Sequence, residues 1–172
     1  MINISKSMFS KIIDTHPRLQ AKNIDRLLGY KITKIENKLL QKYRPYDQVE
    51  DQSSRKQHFK GTQTWIGLHP QALQTPYSSI YEALDRVGIE QVEHVVDFGA
   101  AYGRVGIVLS VINPKARFTG FEIVKQRQLE GNRIFEKLNL ENSYIEEQNI
   151  LSSDFLIPDA DVYFIYDFSR ED

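Results

Sequence analysis

From residue 92 onward the chain alternates between two hydrophobic periods, and this alternation restricts the fold more than any other feature. Strand candidates lie at 92–98, 117–123, 143–149 and 161–166. Between the first three, residues 103–112 and 125–139 place apolar side chains at helical spacing. Strand, helix, strand, helix, strand implies right-handed crossovers and a parallel sheet covered by helices on both faces. The expected class is α/β.

The stretch VVDFGAAYGRVGIVLS, residues 95–110, contains the sharpest local signal. In an open parallel sheet, ligands bind beyond the carboxyl ends of the strands. The first strand delivers Asp97 to that edge, and Gly99, Ala101 and Gly103 follow as a turn without bulky side chains. A ligand can approach such a backbone closely, and the next helix points its N-terminus at the same place. Nineteen residues past Gly103, the run FTGFE brings Glu122 to the end of the second strand. A carboxylate there can accept both hydroxyls of a ribose.

The dinucleotide fingerprint Gly-x-Gly-x-x-Gly does not fit, because its third glycine would fall on Arg104. The spacing Asp97, Gly99, Ala101, Gly103 instead resembles motif I of the class I, Rossmann-like S-adenosylmethionine-dependent methyltransferases. The resemblance covers roughly residues 73–172, and Ala101 stands where the middle glycine is usual. It implies S-adenosylmethionine as cofactor, with Asp97, Gly99, Ala101 and Gly103 around its amino-acid end and Glu122 on its ribose. YIEEQNILSSDF looks like the third strand and its turn, placing Asn149 where the family often has an adenine-binding aspartate. QTPYSSI resembles the helix entry before motif I, which would lay Tyr77 against the methionine part. ADVYFIYDF looks like the fourth strand, ending with Asp167 at the mouth of the site as the candidate catalytic residue.

Each residue also has a plainer role open to it: helix capping for Asp97, and strand-end solvation for Glu122 and Asp167. The implied activity is methyl transfer, with a protein or small molecule favoured as acceptor. YDFSRED has no Asn/Asp-Pro-Pro-aromatic run of the kind that holds a flipped base. The alternative is a non-catalytic cofactor-binding or interaction module that keeps the fold.

The N-terminal part differs in character. Residues 1–75 carry 13 basic against 6 acidic side chains, whereas 76–172 carry 9 against 17. From Asn23 to Tyr43 apolar residues recur at helical spacing, interrupted only by Gly29. Lys31, Lys34, Lys38 and Lys42 form a basic stripe beside them, either a solvated face or a contact to an anionic partner. Residues 44–63 are polar and without period, as expected of a linker. The expected division is therefore a basic helical extension with its linker, 1–63, and a cofactor-binding domain, 64–172.

Thr75 and Pro76 predict a helix start, with the threonine hydroxyl as cap, and Gly88 predicts its end. There is no cysteine, so disulfides and thiolate metal sites are excluded, and the four histidines have no metal-ligand spacing. No leader or membrane-spanning stretch is legible, which makes a cytoplasmic protein with no membrane partner the expectation. The chain stops a few residues past the fourth strand, whereas the family resemblance implies about three further strands. A sheet incomplete in this way exposes an edge, for which self-association is the expected consequence.

Overall fold

The computed structural model describes residues 4–47, 66–67 and 69–166, and the side chains of 43–47 are left aside. Four strands form one parallel sheet: β1 (His94–Phe98), β2 (Arg117–Glu122), β3 (Ser143–Glu147) and β4 (Val162–Ile165). Their order is β3-β2-β1-β4, with Val95 opposite both Phe118 and Val162. This order reproduces the 3-2-1-4 portion of a doubly wound sheet, so the chain has a Rossmann-like fold. β1 and β2 are central, and both are buried along nearly their whole length, including the polar residues His94, Asp97, Thr119 and Glu122.

Three helices, α4 (Tyr77–Arg86), α5 (Arg104–Ile112) and α6 (Lys125–Lys137), build the layer on one face. α5, RVGIVLSVI, is apolar nearly all round because it is enclosed between the sheet, α4 and α6. Phe118 of β2 meets Phe135 of α6 edge-to-face at 5.8 Å beneath it. Phe155, from the irregular stretch between β3 and β4, packs on Phe98 and Phe121. That stretch, NILSSDFLIPDAD, lacks a helical apolar period and contains a proline.

Before the sheet come α1 (Lys6–Phe9), α2 (Pro17–Leu28) and α3 (Ile32–Asp47). The helical run over 23–43 is thus two helices. Gly29 adopts φ 84°, and its amide and that of Tyr30 bond back to the Asp25 carbonyl, ending α2 and redirecting the chain. α3 continues to Asp47, into the expected linker, whose residues 48–63 lie outside the described set. Phe9, Ala21, Ile24 and Leu28 share one apolar core with Tyr77, Ile80, Leu84 and Val95. Helices α1 and α2 are therefore packed into the same core as the sheet layer.

The start of α4 also differs from expectation. Pro76 is the N-cap, with extended backbone and no side-chain cap bond, and helical geometry begins at Tyr77. Thr75 contributes its carbonyl instead, accepting from Arg104 Nη1 at 3.1 Å. Gly88 follows the helix in the left-handed conformation, as its position implied.

Candidate functional site

The carboxyl ends of β1 and β2 lie side by side, with Asp97 paired to Gly120 and Phe98 to Phe121. The turn after β1 folds over this edge through three left-handed residues: Gly99 (φ 78°), Ala101 (φ 48°) and Gly103 (φ 77°). Ala101 thus carries its methyl at a position whose backbone favours glycine. The turn amides are largely committed within the protein. Those of Gly99 and Ala100 both donate to the Phe121 carbonyl at 2.9 Å, and that of Ala101 donates to Glu122 Oε2 at 2.9 Å.

Gly103 caps α5 and fits where no side chain could. A Cβ there would stand 2.5 Å from Phe135 Cζ and 2.9 Å from Ile145 Cδ1. Gly103→Ala combines a left-handed backbone with overpacking and should cost about 2–4 kcal/mol. Urea denaturation checks this; a loss below about 0.5 kcal/mol would mean that α6 moves aside freely.

Two carboxylates are buried at the edge. Glu122 accepts from the Val124 amide on Oε1, at 2.8 Å, and from Ala101 on Oε2. Burial raises its pKa, and Arg127 and the two amides partly offset that rise. Asp97 is only 5% exposed, and no group among the described residues hydrogen-bonds its carboxylate. Its pKa is pushed from the ordinary 3.8 up to about 8, chiefly by burial and further by the charge of Glu122.

Behind this edge lie two ion pairs supplied by the N-terminal helices. Asp25 of α2 takes Arg104 Nη2 on Oδ2 at 2.5 Å and Nε on Oδ1 at 3.2 Å. Gln71 donates to Asp25 Oδ2 at 2.9 Å and accepts from Arg104 Nη2 at 3.0 Å. Glu36 of α3 is bound by Arg127 through Nε at 2.8 Å and Nη2 at 3.0 Å. The Tyr102 hydroxyl, from the turn itself, donates to Glu36 Oε1 at 2.6 Å. α3 also packs Ile32 against Ala101 and Tyr102, and Leu39 against Val124.

The sequence candidates are distributed unevenly over this geometry. Asp97, Gly99, Ala101, Gly103 and Glu122 come together at one edge. Asn149 is exposed just past β3, where its Oδ1 accepts from the Leu151 amide at 3.1 Å. Asp167 lies outside the described residues. Tyr77 is fully buried: it stacks on Phe9 at 5.4 Å, donates to Asp25 Oδ1 at 3.0 Å and lies under the Arg104 guanidinium. Arg104 therefore pairs with an acid from α2 rather than one in the turn. The basic stripe is solvent-exposed along α3, and Lys31 and Lys34 join Lys22 and Arg26 in lining a cleft of about 670 Å³ between α2 and α3.

Sequence reasoning missed Asp25, Glu36 and Arg127. A signal existed: Asp25 and Glu36 stand four residues after Ala21 and Ile32, on the buried stripes of their helices. A carboxylate on such a stripe requires a cation from a neighbouring element.

No family model matches the chain, and no curated protein matches it. Among solved structures it is similar to an RNA methyltransferase from Salinibacter ruber in complex with S-adenosyl-L-homocysteine. There the identity is 19% and the TM-score 0.49, over 54% of this chain and 60% of the other. It is also similar to a precorrin-6y C5,15-methyltransferase from Geobacter metallireducens, at 24% identity and TM-score 0.47, over 54% and 50%. A protein-L-isoaspartate O-methyltransferase follows at 21% and 0.45, over 54% and 29%. The chain spans less than two thirds of the length of each.

Proposed function

We propose that the edge formed by β1 and β2 holds S-adenosylmethionine, and that the protein serves methyl transfer to a protein or small-molecule acceptor. One observation carries this reading. The turn amides that would have to cradle a pyrophosphate are bound to the Phe121 carbonyl and to Glu122, while the Asp97 carboxyl, without a hydrogen-bond partner among the described residues, keeps its proton until a cation arrives beside it. A dinucleotide would bring negative charge against two buried acids. An amino-acid ligand bearing an ammonium and a sulfonium brings such a cation.

In this reading Asp97 receives the ammonium, and Glu122 uses the second acceptor site on each oxygen for ribose hydroxyls. Gly99, Ala101 and Gly103 keep the turn thin enough for approach, and Asn149 offers an amide to the adenine. Tyr77 acts from behind, holding Asp25 and hence Arg104 at the start of α5. The bound cofactor supplies an already activated methyl group, so the protein's task is alignment and exclusion of water. Asp167, just after β4, is our candidate for orienting the acceptor. The absence of a base-gripping motif in YDFSRED is why we favour protein or small-molecule acceptors.

Calorimetric titration with S-adenosylmethionine, S-adenosylhomocysteine and NADH tests the assignment. Saturable binding of the first two is expected, and Glu122→Ala should weaken it by about 1.5–3 kcal/mol, as for hydrogen bonds to a charged group. Binding of NADH alone would overturn the assignment.

A further inference from the structure

Resting on the reading of the β1–β2 edge as an adenosyl site, we propose that Glu36 of the N-terminal helix α3 is a positioning residue for ribose recognition. It does so by holding the Arg127 guanidinium off Glu122. The distances define the device. Arg127 is bound by Glu36 through two nitrogens at 2.8 and 3.0 Å, while its Nη1 stops 4.0 Å from Glu122 Oε1. At that separation the cation counters the buried charge of Glu122 without occupying its acceptor sites.

Glu36 is itself fixed from the other side. The Tyr102 hydroxyl donates to the same Oε1 at 2.6 Å, so one carboxylate ties α6 and the turn after β1 together. Glu36, Arg127, Tyr102 and Glu122 are all buried, which leaves no solvent to take over any of these bonds. Without the charge of Glu36, the carboxylate left beside Arg127 among the described residues is Glu122, 4.0 Å from Nη1. A bidentate guanidinium–carboxylate pair would form there and consume the oxygens that the ribose hydroxyls need. Glu36 thus acts on ligand selectivity through Arg127, with no ligand contact of its own.

The test compares binding of S-adenosylhomocysteine with that of its 2′,3′-dideoxy analogue, by calorimetry, in the whole chain. The wild type should prefer the ribose by about tenfold or more, and Glu122→Gln sets the level at which that preference is lost. Glu36→Gln should reduce the preference to about twofold while binding the dideoxy analogue within about twofold of the wild type. A merely structural loss would weaken both ligands alike and leave their ratio unchanged. If Glu36→Gln does not fold, as read by circular dichroism, Tyr102→Phe decides. It removes one bond to Glu36, leaves both charged partners in place, and should lower the ratio about threefold. A full ribose preference in the variant that folds overturns the proposal, as does a wild type that binds both ligands equally. A wild type that binds neither refutes the cofactor reading itself.

Discussion

Asp25→Ala should destabilise the protein by about 3–5 kcal/mol, the range for leaving a buried charge without its partner. Arg104 is 3% exposed, and Asp25 supplies its only charged contact among the described residues. The substitution also removes the acceptor of the Tyr77 hydroxyl and of Gln71. Urea denaturation of Asp25→Ala, Arg104→Met and the double variant forms the decisive set. The double variant should recover most of the loss, because the cost comes from the orphaned ion rather than from the pair. A single-variant loss below about 1 kcal/mol would mean that water reaches the guanidinium once the aspartate is gone.

Asp97→Asn should abolish a fall in stability that the wild type shows as the pH rises from about 4 to about 8. In the folded protein the carboxyl keeps its proton up to about pH 8, whereas in the unfolded chain it ionises near 3.8. Folding therefore takes up a proton in that interval. The contribution is fully present below pH 4 and is lost as the pH climbs through the folded pKa. At pH 8.5 the asparagine variant should be the more stable by roughly 2–5 kcal/mol, and at pH 4 the two should be close. Parallel pH profiles for the two proteins would show that Asp97 is ionised in the fold. The proposed cofactor adds a second readout. A cation beside Asp97 favours the carboxylate, so binding at pH 7 should release a proton, measurable by calorimetry in buffers of different ionisation enthalpy.

Residues 92–166 were legible because their signals are local. The first three strands are short segments separated by the helices α5 and α6, and that alternation is visible along the chain. The cluster of Asp97, the thin turn and Glu122 was legible for the same reason: spacing along the chain fixes which strand end each residue reaches. The ion pairs were not, since Asp25 and Glu36 find their arginines 79 and 91 residues away, and no period records a partner at that distance. Tyr77 shows the limit from another direction. The resemblance of QTPYSSI to a helix entry implied a place beside the cofactor, yet Tyr77 shares a helix face with Ile80 and Leu84, and burial of that face turned it inward. Gly29 was visible as a weak point in a long helix. Its left-handed backbone ends α2 there, and the next residue, Tyr30, donates to the Tyr102 carbonyl 72 residues away.

These separations also govern the order in which the molecule assembles. A loop of 79 or 91 residues must close before either ion pair exists, and stripping water from an aspartate or arginine ahead of its partner is strongly unfavourable. The contacts joining β1 to β2 and β2 to β3 span far shorter stretches and require no such simultaneous desolvation. The β1–β2–β3 unit with α5 and α6 is therefore expected to form first, before α2 and α3 bring their carboxylates to Arg104 and Arg127. Docking of the N-terminal helices is then expected late in folding, and it is the step that completes the wall behind the β1–β2 edge.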